Sequence, residues 1–117
     1  MKSVEFLQYK LHPGTGEDFH HVMKQISIPL HESVDIDVVA YGQSEHDLDS
    51  YILIRAFDSL EEREDVLNKF YFSDAWREGP REEIIACIST SLTSILHMNK
   101  DAVEALRNSM HISEKNK

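Results

Sequence analysis

This chain has little of what braces or equips many small proteins. Cys87 is its only cysteine. An internal disulfide is therefore impossible, and a reducing, cytoplasmic setting is expected. Cys87 has no cationic neighbour close in sequence, so it reads as an inert thiol and not a nucleophile. No apolar run approaches the ~20 residues of a membrane span. A strand pattern begins at Val4, which leaves no room for a signal peptide. Basic residues are scarce: 12 Lys and Arg stand against 21 Asp and Glu, a net charge of −9. Nucleic-acid binding needs a basic footprint, and only Lys115 and Lys117 form even a small cluster. Neither nucleic acid nor a membrane is expected as a partner, and the acid excess favours solubility. There is no Gly-rich phosphate loop, no P-loop lysine and no Gly-x-Ser-x-Gly elbow. Nucleotide hydrolysis and Ser-hydrolase chemistry fall away with them.

What is present reads as one domain with a short extension. The 117 residues suffice for a single core. Residues 4–11 alternate with apolar side chains on both faces, the pattern of a strand covered twice. The run His12-Pro-Gly-Thr-Gly16 ends it. Thr15 is the expected N-cap of a helix whose stripe is Phe19, Val22, Met23, Ile26 and Leu30. Pro29 predicts a kink or an early end. His31 then falls near a helix C-terminus, where the dipole favours the charged imidazolium.

A second strand is expected over 34–42, with Asp35 and Asp37 as edge charges. The acidic run Ser44 to Asp49 reads as a hairpin connection. Residues 50–57 are the most hydrophobic strand and so the central one. Ser59 and Glu62 have capping-box spacing, and Leu60, Leu67, Phe70 and Tyr71 are read as facing inward. Gly79-Pro80 restarts a helix carrying Ile84, Ile85 and Ile88, and residues 91–97 are the last strand.

The order strand, helix, strand, strand, helix, strand predicts an α+β, ferredoxin-like domain over residues 1–98 with a four-stranded antiparallel sheet. Right-handed crossovers put both helical connections on one face. Residues 99–117 form a helical extension with the thin stripe Val103, Leu106 and Met110, then a frayed polar tail from Ser113 to Lys117. So little cover for the second sheet face predicts a homodimer, packed sheet face to sheet face.

Tyr9, Leu11, Pro13 and Gly14, then Arg55-Ala-Phe57, Leu60, Arg63, Phe70-Tyr71 and Trp76, resemble the NIPSNAP family over about residues 4–97. That family lies within the dimeric α/β-barrel superfamily. Asp74 and Pro80 depart from the resemblance, standing where a Pro and a His are expected. The resemblance implies the fold and a dimer. Superfamily relatives include cofactorless monooxygenases, haem-binding enzymes, isomerases and cyclases, and fold alone does not choose among them.

Candidate chemistry centres on Arg55, set inside an apolar strand. A buried guanidinium needs either an acid, such as Glu5 or Glu62, or a ligand anion. Arg63 is a salt-bridge residue or a second contact to that ligand. Tyr71 and Trp76 are core aromatics or the walls of a pocket between helices and sheet. His12, with Tyr9 two residues earlier, has the chemistry to move a proton. No cofactor is implied. No metal is expected either, because the adjacent His20 and His21 diverge on a helix by ~100°. Two readings follow. One is a small-organic-ligand protein, with or without cofactorless monooxygenase-, isomerase- or cyclase-type chemistry. The other is a non-catalytic homodimeric interaction module.

Overall fold

A computed structural model describes the backbone of residues 1–115 and the side chains of residues 1–109. Four strands, β1 (Lys2–Leu11), β2 (Asp37–Gln43), β3 (Ser50–Phe57) and β4 (Ile88–Met98), form one antiparallel sheet in the order β2-β3-β1-β4. Helices α1 (Gly16–Val22) and α2 (Ile28–Ser33) link β1 to β2. Helices α3 (Leu60–Phe72), α4 (Asp74–Glu78) and α5 (Arg81–Cys87) link β3 to β4. This is the ferredoxin-like α+β arrangement that the sequence predicts, with the apolar strand β3 inside the sheet.

The main core lies between the sheet and these five helices. Leu7, Leu11, Tyr51, Leu53 and Phe57 project from β1 and β3 onto Phe19, Phe70 and Trp76. Thr15 does not cap α1 through its side chain. Instead Asp49, from the β2–β3 connection, accepts from the amides of Gly14 (3.0 Å) and Gly16 (2.9 Å). Its negative charge suits a helix N-terminus. A Cβ on Gly16 would stand 1.9 Å from the Leu48 carbonyl oxygen, so only glycine admits this contact. Ser59 caps α3, its Oγ accepting from the Glu62 amide at 3.0 Å. Glu62 makes no return bond to the Ser59 amide among the described residues. Leu60, read as inward, is 52% exposed.

Between α1 and α2 the helix widens into a π-turn over Met23–Ser27. The wider turn adds a residue to the period. The inward stripe therefore runs Phe19, Val22, Met23, then Ser27, Ile28 and His31, while Ile26 turns to solvent. Pro29 enters just after, at the start of α2, where its missing N–H costs little. Strand β2 starts later than the pattern suggests. Asp35 holds a left-handed φ of 61° in the turn before it, and a bulge between Val38 and Ala40 puts both Val39 and Ala40 indoors.

The outer face of the sheet is partly covered by α6 (Lys100–Lys115). Val103 is buried against Val4, Val39, Ile54 and Ala56, with Leu106 beside it. Asn99 caps α6 by accepting from the Ala102 amide at 2.7 Å. Arg107 ties it to β2 through Asp37 and the Val38 carbonyl. The side chain of Met110 and the tail Ser113 to Lys117 lie outside the described side chains. No described helix is long and apolar enough to cross a membrane.

Candidate functional site

A charged cluster sits inside the domain, between sheet and helices. Glu5 on β1 lies directly opposite Arg55 on β3, and both are almost wholly buried. Arg55 Nε donates to Glu5 Oε1 at 2.6 Å. Arg63, one turn into α3, donates from Nε to Oε2 of the same carboxylate at 2.7 Å. Of the two acids expected to pair with Arg55, Glu5 is the one that does. Burial works against the charge on Arg55, but the Tyr71 oxygen and the Glu5 carboxylate outweigh it and hold the guanidinium firmly protonated.

Arg55 Nη1 has two further partners. It donates to the Tyr71 hydroxyl at 2.8 Å and meets His31 Nε2 at 3.0 Å. His31 Nδ1 lies 2.7 Å from the Ser27 carbonyl, which only accepts. The ring hydrogen is therefore on Nδ1, and Nε2 accepts from Arg55. Burial first, and then the neighbouring Arg55 charge, lower the His31 pKa to about 4. His31 is thus a neutral interior acceptor and not the charged helix-end residue expected from its position. The π-turn explains this, because it rotates His31 inward. It also leaves the buried Ser27 hydroxyl without a hydrogen-bond partner.

The aromatic side of the cluster is built by α3 and α4. The Tyr71 ring lies 5.3 Å from Phe70 and 5.1 Å from Trp76, and the Arg55 guanidinium carbon stands 5.8 Å above it. Trp76 is buried in the core and positioned by Ser73, which caps α4. Beyond Tyr71 lies an open hollow of about 560 Å³, lined also by Phe72, Asp74, Arg77, Glu78, Arg81 and Glu82. Tyr71 therefore stands between this hollow and Arg55. Tyr9 projects from the same sheet face onto Phe19. Burial, and then the nearby Tyr71, raise its phenol pKa, which makes it a poor base at neutral pH.

Arg55, Arg63, Tyr71 and Trp76 come together, with Tyr9 on the same face. His12 does not join them. It is exposed in the turn after β1, seven residues and roughly 23 Å along the strand from Glu5. The His–Tyr pair that does form is His20 with Tyr51, at 2.7 Å. Sequence reasoning missed His31 and Ser27, because an unbroken α-helical period leaves both off the inward stripe. Among the described residues no group of three His, Cys, Asp or Glu side chains has the placement to hold a metal ion. Cys87 has a raised thiol pKa, chiefly from burial.

The helical layer covers β2, β3 and β1 but stops short of β4. Register places Ser91 opposite Tyr9, Thr93 opposite Leu7 and Ile95 opposite Glu5, so all three share the face of the charged cluster. Ser91 and Thr93 are nonetheless exposed. Next to this uncovered strip two guanidiniums share one carboxylate, an excess of one positive charge.

Comparison with known proteins agrees with this architecture. The chain resembles a NIPSNAP-like domain protein from Burkholderia xenovorans at 19% identity, covering 85% of this chain and 86% of that one, with a TM-score of 0.76. It resembles a NIPSNAP family protein from Agrobacterium tumefaciens at 17% identity, with 86% and 95% covered and a TM-score of 0.77. A protein from Nitrosomonas europaea named for the antibiotic biosynthesis monooxygenases shares the fold at 11% identity, with 84% and 98% covered and a TM-score of 0.63. No curated protein matches. The family model for NIPSNAP matches residues 4–102, nearly all of the sheet and its helices, and the chain belongs to the NIPSNAP family.

Proposed function

We propose that this protein binds a small organic ligand carrying an anionic oxygen, beside Arg63 and Tyr71 between helices and sheet, and does so as a homodimer. The observation that carries the reading is the charge imbalance at Glu5. One buried carboxylate serves both Arg55 and Arg63, within a chain of net charge −9. An incoming carboxylate or enolate oxygen restores neutrality there, and in a partly dry site that is worth more than in water. Arg63 keeps 22% of its side chain exposed and is the reachable guanidinium. Arg55 is the fixed one. It orients the Tyr71 oxygen as an acceptor, which leaves the phenol hydrogen to donate to a ligand oxygen. Tyr9 lies on the same sheet face, and Trp76 backs the Tyr71 ring from the core. Cofactorless chemistry of the monooxygenase, isomerase or cyclase type would use Tyr71 as the proton donor, and the fold shared with the Nitrosomonas protein favours it only by analogy.

The test is a thermal-shift screen of small aliphatic and aromatic carboxylic acids. At least one acid should raise the melting temperature, and Arg63→Gln and Tyr71→Phe should each remove the shift. An acid-induced shift that survives Arg63→Gln rejects this site, and a screen without any shift rejects the ligand reading.

The second reading, a non-catalytic homodimeric module, has its own support. Leu92 and Leu96 are 64% and 55% exposed on the outer face of β4, beside half-buried Phe6 and Ile52. An apolar strip of this kind asks for a partner surface. Sedimentation at micromolar concentration checks the homodimer in either reading, and a monomer rejects it.

A further inference from the structure

We propose that the helix-side face of β4 is the open wall of the ligand site, and that the ligand is a hydroxy or oxo acid whose second oxygen is held by Thr93 or His97. This rests on the anionic-ligand reading and narrows it to a chemical class. Residues 91, 93, 95 and 97 of β4 face the helix side, as do their partners Tyr9, Leu7, Glu5 and Ser3 on β1. In a sheet with one core-packed face, apolar residues belong on that face and polar ones outside. Strand β4 reverses the rule. Its helix side carries Ser91, Thr93 and His97, all exposed, around the half-buried Ile95. Its outer side carries Leu92 and Leu96. A strand that turns two hydroxyls and an imidazole toward the helix side is not completing a dry core there.

The register puts this polar strip beside the charged cluster. Ile95 lies directly opposite Glu5. Thr93 and His97 are then the two diagonal neighbours of Glu5, at a typical spacing of ~7–8 Å, within reach of long side chains. Arg63 Nε lies 2.7 Å from Glu5 Oε2. An anionic oxygen held by Arg63 and Tyr71 therefore has the β4 strip on its open side. Ser91, Thr93 and His97 make no side-chain hydrogen bond to another described residue, so their polar atoms are available to a ligand. Their chemistry selects its second group. A threonine hydroxyl donates to a carbonyl and accepts from a hydroxyl, and the imidazole likewise offers both roles. A second carboxylate would meet no Lys or Arg on β4, and an ammonium no Asp or Glu. Ile95, between Thr93 and His97, offers an apolar surface to the carbon that joins the two groups.

Isothermal titration of the full-length chain with matched acids tests the class. Propionate is compared with lactate and pyruvate, phenylacetate with mandelate, and benzoate with salicylate. In at least one set the hydroxy or oxo acid should bind about tenfold tighter than the plain acid, the size of one good hydrogen bond. Thr93→Val or His97→Leu should erase that gap and leave the affinity for the plain acid unchanged. Both positions are exposed, so neither variant threatens the core. Ser94→Ala, on the outer face, should keep the gap. Plain acids that bind as tightly as their oxygenated partners overturn the inference and leave the anionic-ligand reading standing. A gap that survives both Thr93→Val and His97→Leu does the same. A chain that binds none of these acids overturns the inference together with the reading beneath it.

Discussion

Val4 and Glu5 are neighbours in sequence and face opposite worlds. So are Ile54 and Arg55 on the strand beside them. On the outer face Val4, Ile54 and Ala56 meet Val103 of α6 in a wholly apolar contact. On the inner face Glu5 and Arg55 meet each other, Arg63, His31 and Tyr71. An apolar contact tolerates small adjustments, because its energy is a sum of many weak terms. A buried ion cluster does not, because losing one partner strands the rest. The inner face is therefore the brittle one and the outer face the compliant one.

The largest break in that contrast should come from Glu5→Gln. It keeps the shape but leaves two guanidiniums without their shared counter-charge. Removing one member of a buried pair costs roughly 3–5 kcal/mol. Urea unfolding should show a loss of that size, and a loss under ~1 kcal/mol, the level of an exposed pair, would mean the cluster is well solvated. Trp76→Ala comes next. The indole is core, packed on Phe70 and Tyr71, and its removal should cost ~3–5 kcal/mol. A fully stable variant would show that the ring lines open space instead.

Acid should act on the same inner face through His31. Its folded pKa of about 4 lies below the ordinary histidine value, so the folded state holds the neutral ring. The stability this contributes is complete above pH ~6.5 and is lost as pH falls toward ~4, on the order of 3 kcal/mol over that window. His31→Gln retains a neutral acceptor for Arg55 and removes the titration. Its stability curve should be flatter between pH 6.5 and 4 than that of the parent protein, and two parallel curves would assign the acid sensitivity elsewhere.

Much of the contrast is legible in the sequence. The alternation of β1 and β3 already separates Val4 from Glu5 and Ile54 from Arg55, and a guanidinium inside so apolar a strand requires an acid or a ligand anion. The strand order and the Ser59 cap follow from local pattern, whereas the sequence leaves Trp76 open between core and pocket wall, and the structure buries it. His31, Ser27 and the Arg55–Tyr71 bond do not follow from local pattern. They depend on a π-turn that no propensity marks, in a segment where Pro29 suggests only an interruption. Leu60 is exposed although the helical period points it inward, because it opens α3 before that helix reaches the sheet. The missing cover over β4 was equally invisible, since hydrophobicity says which residues seek burial and not where the helical layer ends.

The smallest expected effect concerns how α6 is held on the compliant face. Arg107 reaches from α6 to Asp37 and to the Val38 carbonyl, but nearly a quarter of its side chain is exposed. Solvent screens such a pair, so Arg107→Ala should cost only about 1 kcal/mol in global unfolding. Its local consequence should be larger than that figure suggests. Apart from this clamp, α6 is held chiefly by Val103 and Leu106. A helix with so few buried contacts opens separately from the core. Hydrogen exchange should speed up in α6 and along the Asp37 end of β2, while the amides of β1 and β3 keep their protection. If all regions exchange faster together, α6 unfolds with the sheet, and the two faces are energetically one unit despite their different chemistry.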